Sequence, residues 1–182
     1  SEKGCIAEAG VFKGGSSAKF SLAAKYAKRE LILFDSFQGL PENTELHEQS
    51  ILGHSITGWF KGGAFCGGME EVKHNIGKYG EITVCKFIKG WFDDTMPLFK
   101  EKIAAAYIDV DLASSTKTCL KYLYPLLIPG GVLYSQDGDF PLVIQVFDDD
   151  HFWENEVGCK KPCIEGLGTQ KLIRITKPLN SQ

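Results

Sequence analysis

Two groups of residues in this chain have the types and spacing to do chemistry. The first joins Glu8-Ala9-Gly10-Val11-Phe12-Lys13-Gly14-Gly15-Ser16-Ser17 to Asp35, the residue that closes the apolar run Leu31-Ile32-Leu33-Phe34. Glycines where a strand turns into a helix let the backbone approach a ligand closely. An acid at the tip of the next strand accepts hydrogen bonds from ribose hydroxyls, so the pair fits an adenosine-containing ligand. The second group is Asp109-Val110-Asp111, which follows the apolar run from Ile103. Asp109 falls at the carboxyl edge of the expected sheet, where open α/β folds bind ligands. The strand is expected to end there, so that one carboxylate faces the site and the other caps the next turn.

The spacing of the glycines narrows the ligand. A dinucleotide loop needs G-x-G-x-x-G, but Phe12 stands at the third position and the glycines fall at 10, 14 and 15. Methyltransferases use a looser turn, commonly preceded by an acid, because they bind no pyrophosphate. Glu8-Ala9-Gly10 has that form. The competing reading is that these glycines only turn the chain, that Ser16 and Ser17 only cap a helix, and that Asp35 is a plain turn residue.

The elements that must position these residues follow from the alternation of apolar runs and helical patterns. Strands are expected at about 5–9, 31–35, 82–89, 103–109 and 132–135, with helices at about 16–28, 69–79, 94–101, 115–127 and 141–154. Pro129-Gly130-Gly131 is expected to break the chain before the fifth strand. Two closing strands, about 163–166 and 171–176, are joined at Gly168-Thr169 and so must be antiparallel. The fold class is α/β: a doubly wound, Rossmann-like, seven-stranded and mostly parallel sheet with a C-terminal antiparallel hairpin, in a single domain over 1–182. Residues 36–68 are rich in glycine and polar residues and form a connection long enough to be a lid. Trp59, Phe60 and Phe65 within it are expected to contact substrate and exclude water, or else to pack beneath the loop.

Bulk properties set outer limits. The chain has 182 residues, a net charge of −3 and no basic stripe, which argues against a nucleic-acid partner. No apolar run approaches the roughly 20 residues that span a bilayer, so no membrane partner is expected. Ser1-Glu2-Lys3-Gly4 leads straight into an apolar run without a signal-peptide pattern, and the abrupt start leaves open a further N-terminal segment. The six cysteines are scattered and complete no zinc pattern, which reads as reduced thiols in a cytoplasmic protein.

Five ordered motifs resemble one family. They are Glu8 to Ser17; Phe34-Asp35-Ser36-Phe37-Gln38-Gly39-Leu40-Pro41; Gly90-Trp91-Phe92-Asp93-Asp94-Thr95-Met96-Pro97; Asp109-Val110-Asp111-Leu112 with Ser115-Thr116; and Leu123-Tyr124-Pro125 with Pro129-Gly130-Gly131. Together they look like the macrocin O-methyltransferases, class I enzymes that methylate sugar hydroxyls of natural products with S-adenosylmethionine. The resemblance implies a small-molecule acceptor and allows a homo-oligomer. It implies cofactor contacts from Glu8, Gly10, Val11, Phe12, Ser16, Ser17, Asp35, Ser36, Gly90, Trp91, Phe92 and Asp109. It also implies a magnesium ion held by an Asp of the fourth motif and two acids after the fifth strand, which align with Gln136 and Asp137. Gln136 departs from that pattern and removes one negative charge, which Asp139 could compensate.

Oxygen ligands suit a hard cation, which would hold the acceptor hydroxyl and lower its pKa. Without it the hydroxyl needs a side-chain base, and Asp109, His54 in the lid and His151 are the candidates. His151, beside Asp148-Asp149-Asp150, reads more simply as part of a solvated helix end. His47 and His74 are expected at the surface. The alternatives are a metal-independent methyltransferase, a non-catalytic cofactor-binding module and, last, a nicotinamide-dependent dehydrogenase.

Overall fold

The apolar runs become strands because they are bounded by turn residues; the runs from Cys5 and Leu31 are buried on both faces, as inner parallel strands are, while the edge run from Cys85 is only partly buried. In the computed structural model, which describes residues 3–179, these are β1 (Cys5–Ala9), β2 (Leu31–Asp35), β3 (Cys85–Lys89), β4 (Ile103–Ile108), β5 (Leu127–Ser135), β6 (Ile164–Glu165) and β7 (Ile173–Thr176). They form one sheet in the order β3-β2-β1-β4-β5-β7-β6. The first five strands pair in parallel, whereas β7 runs antiparallel to both β5 and β6. The expected fold class is therefore the observed one.

Helices α1 (Gly15–Tyr26) and α2 (Met69–Tyr79) cover one face around Leu31, Leu33, Val72 and Ile76. α3 (Phe92–Thr95) follows β3 as a single turn. α4 (Ala113–Leu123) and α5 (Pro141–Asp148) cover the other face, where Phe34, Ile108, Leu120, Phe147 and Trp153 pack. α6 (Asp150–Phe152) and a π turn at Trp153–Val157 end this layer. None of the helices among the described residues is long and apolar enough to cross a membrane.

Several expected boundaries move. β5 starts at Leu127, so Pro129-Gly130-Gly131 lies inside the strand. There the pairing with β4 shifts register, while Gly130 and Gly131 exchange backbone hydrogen bonds with Lys177. The ladder on that side survives because only one neighbour is disrupted. The expected helix over 141–154 breaks at Asp149, whose carboxylate accepts from the Phe152 amide and starts a new turn. Residues 82–84 form a 3₁₀ turn ahead of β3. β6 and β7 are joined by residues 166–172, a longer loop than the expected tight turn. All six cysteines are free.

The parallel register aligns the carboxyl ends of the strands. The Gly90 amide donates to the Asp35 carbonyl, Gly10 to Phe34, Asp109 to Ala9, and Gln136 to Ile108. Gly90, Asp35, Gly10, Asp109 and Gln136 thus stand in one row along the top of the sheet.

Candidate active site

A cavity of about 700 Å³ opens above that row. Gly10, Val11, Phe12, Ser16, Asp35, Ser36, Gly90, Trp91, Phe92 and Asp109 all line it, so ten of the residues singled out in the sequence meet at one place. Its size falls in the usual range for a small-molecule or cofactor pocket.

Gly10 makes the close approach possible. Its φ is 84°, in the left-handed region, and a Cβ there would run into the Asp109 carbonyl oxygen. The turn is then fastened by Asp35. One oxygen of Asp35, Oδ2, accepts from the Val11 amide at 2.7 Å and the Phe12 amide at 3.4 Å. The other, Oδ1, accepts from the Phe37 amide at 2.6 Å. Burial raises the Asp35 pKa against the lowering pull of these amides. Oδ1, which accepts a single amide, keeps a lone pair for a ligand hydroxyl. Ser36 lines the cavity, but its hydroxyl closes a local turn, accepting from Gln38 and donating to Gly39.

Glu8 is fully buried beneath Gly10 and Ser16. Its Oε1 accepts from the Ser16 hydroxyl at 2.5 Å, and its Oε2 has no hydrogen-bond partner among the described residues. Burial pushes its pKa up to about 7; the Ser16 and Ser17 hydroxyls pull it down, and Asp109 and Asp35 add to the rise. A buried carboxylate with an orphaned oxygen fits an ammonium group. Ser17 is also fully buried, its hydroxyl has no hydrogen-bond partner among the described residues, and neither Ser17 nor Glu8 is part of the cavity wall.

The acids after β4 and β5 converge, and Asp111 is added to those the resemblance implies. Gln136 Oε1 accepts from the Tyr107 hydroxyl at 3.1 Å. One oxygen from each of Asp109, Asp111 and Asp137 lies within 4.8 Å of the other two, in one cluster. Asp111 joins it because the chain reverses at that residue, whose φ is 62°. The reversal is held by the deeply buried Asp137, whose Oδ2 accepts from the amides of Val110 at 2.9 Å and Asp111 at 3.0 Å. The strand therefore need not persist for both acids of the pair to face the cavity, and neither caps α4 with its side chain. Positive φ at a non-glycine residue is uncommon and tends to mark functional turns.

Burial raises the pKa of all three carboxylates, and their crowding adds to it at Asp111 and Asp137. Burial and then Asp109 push Asp111 up to about 7, against the pull of Lys171. Burial and its two neighbours push Asp137 well up, and burial pushes Asp109 up. A hard divalent cation suits such an all-oxygen donor set and would relieve the repulsion. Asp139 is buried but is not part of the cluster.

The histidines are placed differently from expectation. His54 is exposed on the 36–68 segment and does not line the cavity, so it is not positioned as a base. His47, expected at the surface, has a side chain only 2% exposed and packs against Phe60. His151 is exposed at the end of the α5 layer. Within the 36–68 segment, Leu40, Pro41, Glu42 and Phe65 reach the cavity, while Phe60 is buried and Trp59 is half exposed away from it.

Comparison with known proteins agrees with this geometry. The family model for macrocin-O-methyltransferase (TylF) matches residues 2–163. The chain is 33% identical over 184 aligned residues to the 8-demethyl-8-(2,3-dimethoxy-alpha-L-rhamnosyl)-tetracenomycin-C 4'-O-methyltransferase of Streptomyces olivaceus, covering 95% of this chain and 66% of that protein. It is 28% identical to the mycinamicin III 3''-O-methyltransferase of Micromonospora griseorubida, covering 85% and 64%. The chain thus spans about two thirds of the length of these curated relatives. Among solved structures, the O-methyltransferase NovP superposes with a TM-score of 0.76 at 23% identity, over 97% of this chain and 73% of NovP. A calicheamicin methyltransferase gives 0.73 at 19% identity, over 96% and 72%. At those identities the superpositions speak for the fold. The family match covers most of the chain, and the chain belongs to the macrocin-O-methyltransferase family.

Proposed function

We propose that this chain is an S-adenosylmethionine-dependent O-methyltransferase acting on a hydroxyl of a small glycosylated natural product or its sugar. One observation carries the reading: Asp35, which fastens the glycine turn, and the Asp109–Asp111 pair line the same cavity, with the orphaned Glu8 carboxylate beneath it. A ribose site and a proton-accepting site therefore share one space. The relatives named for rhamnosyl 4' and mycinamicin 3'' methylation support a sugar hydroxyl as acceptor.

When bound, S-adenosylmethionine supplies a methyl group on a positively charged sulfur. Glu8 would answer the ammonium of its methionine part, Asp35 would accept from a ribose hydroxyl, and Trp91 and Phe92, on the cavity wall, would meet the adenine. Transfer needs alignment and exclusion of water more than acid–base power, because the sulfonium loses its charge as the methyl moves. The acceptor hydroxyl still has to lose a proton. Without a cation Asp111 takes it: the side chain lines the cavity, and a pKa near 7 suits a general base at neutral pH. Asp109, Asp111 and Asp137 are the residues that would hold a divalent cation, whose contribution there is to lower the pKa of the bound hydroxyl.

The test is transfer of a tritiated methyl group from S-adenosylmethionine to rhamnosylated acceptors, together with calorimetry of S-adenosylhomocysteine binding. Labelled methyl ether from the wild type, and its loss in Asp111→Asn with S-adenosylhomocysteine binding retained, is the expected result. Binding without transfer over a broad glycoside panel would make the chain a cofactor-binding module instead. A chelator that leaves the rate unchanged would favour the metal-independent enzyme.

A further inference from the structure

The 36–68 segment contains no helix and is braced internally by the Gln49–Ser55 bridge and by turn hydrogen bonds such as Leu40 to Ala64 and Ile56 to Glu48, and it forms part of the cavity wall. Glu45 is what fastens it. Leu112 occupies the N-cap position of α4, so no side chain adjacent in sequence satisfies the first amides of that helix. The Ala113 amide donates instead to Glu45 Oε2 at 2.8 Å, and the Ser114 amide to Glu45 Oε1 at 2.9 Å, across 68 and 69 residues of chain. His47 Nε2 lies 3.1 Å from Oε2 of the same carboxylate, and the imidazole packs edge-on against Phe60 and Phe140 with ring centroids 4.7 and 6.2 Å away. A carboxylate is well matched to a helix N-terminus, where unpaired amides and the helix dipole both favour negative charge.

Both halves of this contact border the cavity. Pro41 and Glu42 line it from the segment, and Ser114 and Ser115 line it from α4. The Ile51 amide also ties the segment to the Asp139 carbonyl at 2.9 Å, while Asn43 Nδ2 braces it internally against the Phe60 carbonyl at 2.9 Å. Moving the segment away would leave two helix amides without their acceptor, while His47, on the segment itself, would travel with Glu45.

We propose that Glu45 is a positioning residue that clasps the 36–68 segment onto the N-terminus of α4 and so sets the closed shape of the cofactor and acceptor cavity. Only the identity of what fills the cavity rests on the methyltransferase reading; the clasp itself does not.

Hydrogen exchange and calorimetry on the full chain test it. In Glu45→Ala, amide exchange across residues 44–58 and at Ser114 should speed up by about tenfold or more, the scale of losing one helix cap. Amides of β1 and β4 should keep their protection. S-adenosylhomocysteine should bind several-fold more weakly, and the acceptor KM should rise more than kcat falls. Glu45→Gln, which keeps one accepting oxygen, should recover part of the loss.

Ala113→Pro approaches the same contact from the other side. Proline is tolerated at the first helical position, and Leu112 already has the extended backbone (φ −90°, ψ 142°) that a following proline requires. Adding Glu45→Ala to that background should cost less than it does in the wild type. Unchanged exchange over 44–58 in Glu45→Ala would overturn the proposal, as would a loss of protection spread evenly through the core strands. Absence of S-adenosylhomocysteine binding in the wild type would instead remove the methyltransferase reading, and the exchange result would still decide the clasp.

Discussion

The Tyr107 hydroxyl donates to Gln136 Oε1 at 3.1 Å, so that oxygen is already engaged. Tyr107 is itself fixed by the edge of Phe20 on α1, with ring centroids 4.9 Å apart. The carboxylates that converge for a cation are those of Asp109, Asp111 and Asp137. Titrating Mn²⁺ or Mg²⁺ calorimetrically should show Asp111→Asn and Asp137→Asn weakening binding by about tenfold or more, whereas Gln136→Ala changes it by less than about threefold. Equal losses in Gln136→Ala and Asp111→Asn would restore the ligand set that the family resemblance implies.

Glu8 predicts a pH dependence of stability. Its pKa is raised to about 7 from an ordinary glutamate value of 4.5, chiefly by burial. The folded state thus favours the protonated form. Its contribution is fully present below about pH 4.5 and is lost as the pH climbs through 7, by up to ~3 kcal/mol in total. Glu8→Gln keeps the shape and an acceptor for Ser16 without the charge. The variant should melt higher than the wild type at pH 8 and close to it at pH 5. Adding S-adenosylhomocysteine should reverse the order at pH 8, because its ammonium offsets the wild-type charge. A melting difference independent of pH would show that Glu8 is not an ionisable liability in the free protein.

Gly10 tests whether the closeness of the turn to β4 is needed. A side chain there meets the Asp109 carbonyl and must also adopt a φ of 84°. Gly10→Ala should destabilise by about 2 kcal/mol or more, and it should do so by pushing Asp109 out of line. Gly15, where a Cβ would meet nothing within 4 Å, supplies the control: Gly15→Ala should be neutral or slightly stabilising. Equal melting temperatures for the two variants would contradict the close approach.

The row of strand ends was readable because it follows from local facts. Parallel strands declare themselves as short apolar runs, and Gly10 and Asp35 sit immediately after two of them. The acid cluster was only half readable. Asp111 enters it through a reversal at φ 62° that depends on Asp137, 26 residues away, accepting its amide. No period in the sequence encodes that turn, although two acids at i and i+2 were a signal that both could matter. Glu45 was missed because its partners lie 68 and 69 residues on, at a helix start with no capping residue of its own. That absence of a cap before Ala113 was the available clue. Pro129-Gly130-Gly131 read as a break because turn chemistry is local, while β7 supplies the pairing that keeps the strand intact.

Asp35 separates a structural from a binding role within one side chain. Its two oxygens hold the amides of Val11, Phe12 and Phe37, so Asp35→Ala leaves two donors of the glycine turn and one of its own loop without their acceptor. Water can reach some of them in the open cavity, which limits the stability loss to about 1–3 kcal/mol. Losing a charge-assisted bond to a ribose hydroxyl should also lower S-adenosylhomocysteine affinity, by about tenfold or more. Ser36→Ala removes only the local turn bonds to Gln38 and Gly39 and should leave the affinity within about threefold of wild type. The two effects of Asp35 can then be told apart with S-adenosylhomocysteine and its 2'-deoxy analogue. The wild type should discriminate strongly between them and Asp35→Ala hardly at all. If Asp35→Ala discriminates as the wild type does, the Asp35 carboxylate only fastens the turn and the ribose is held elsewhere.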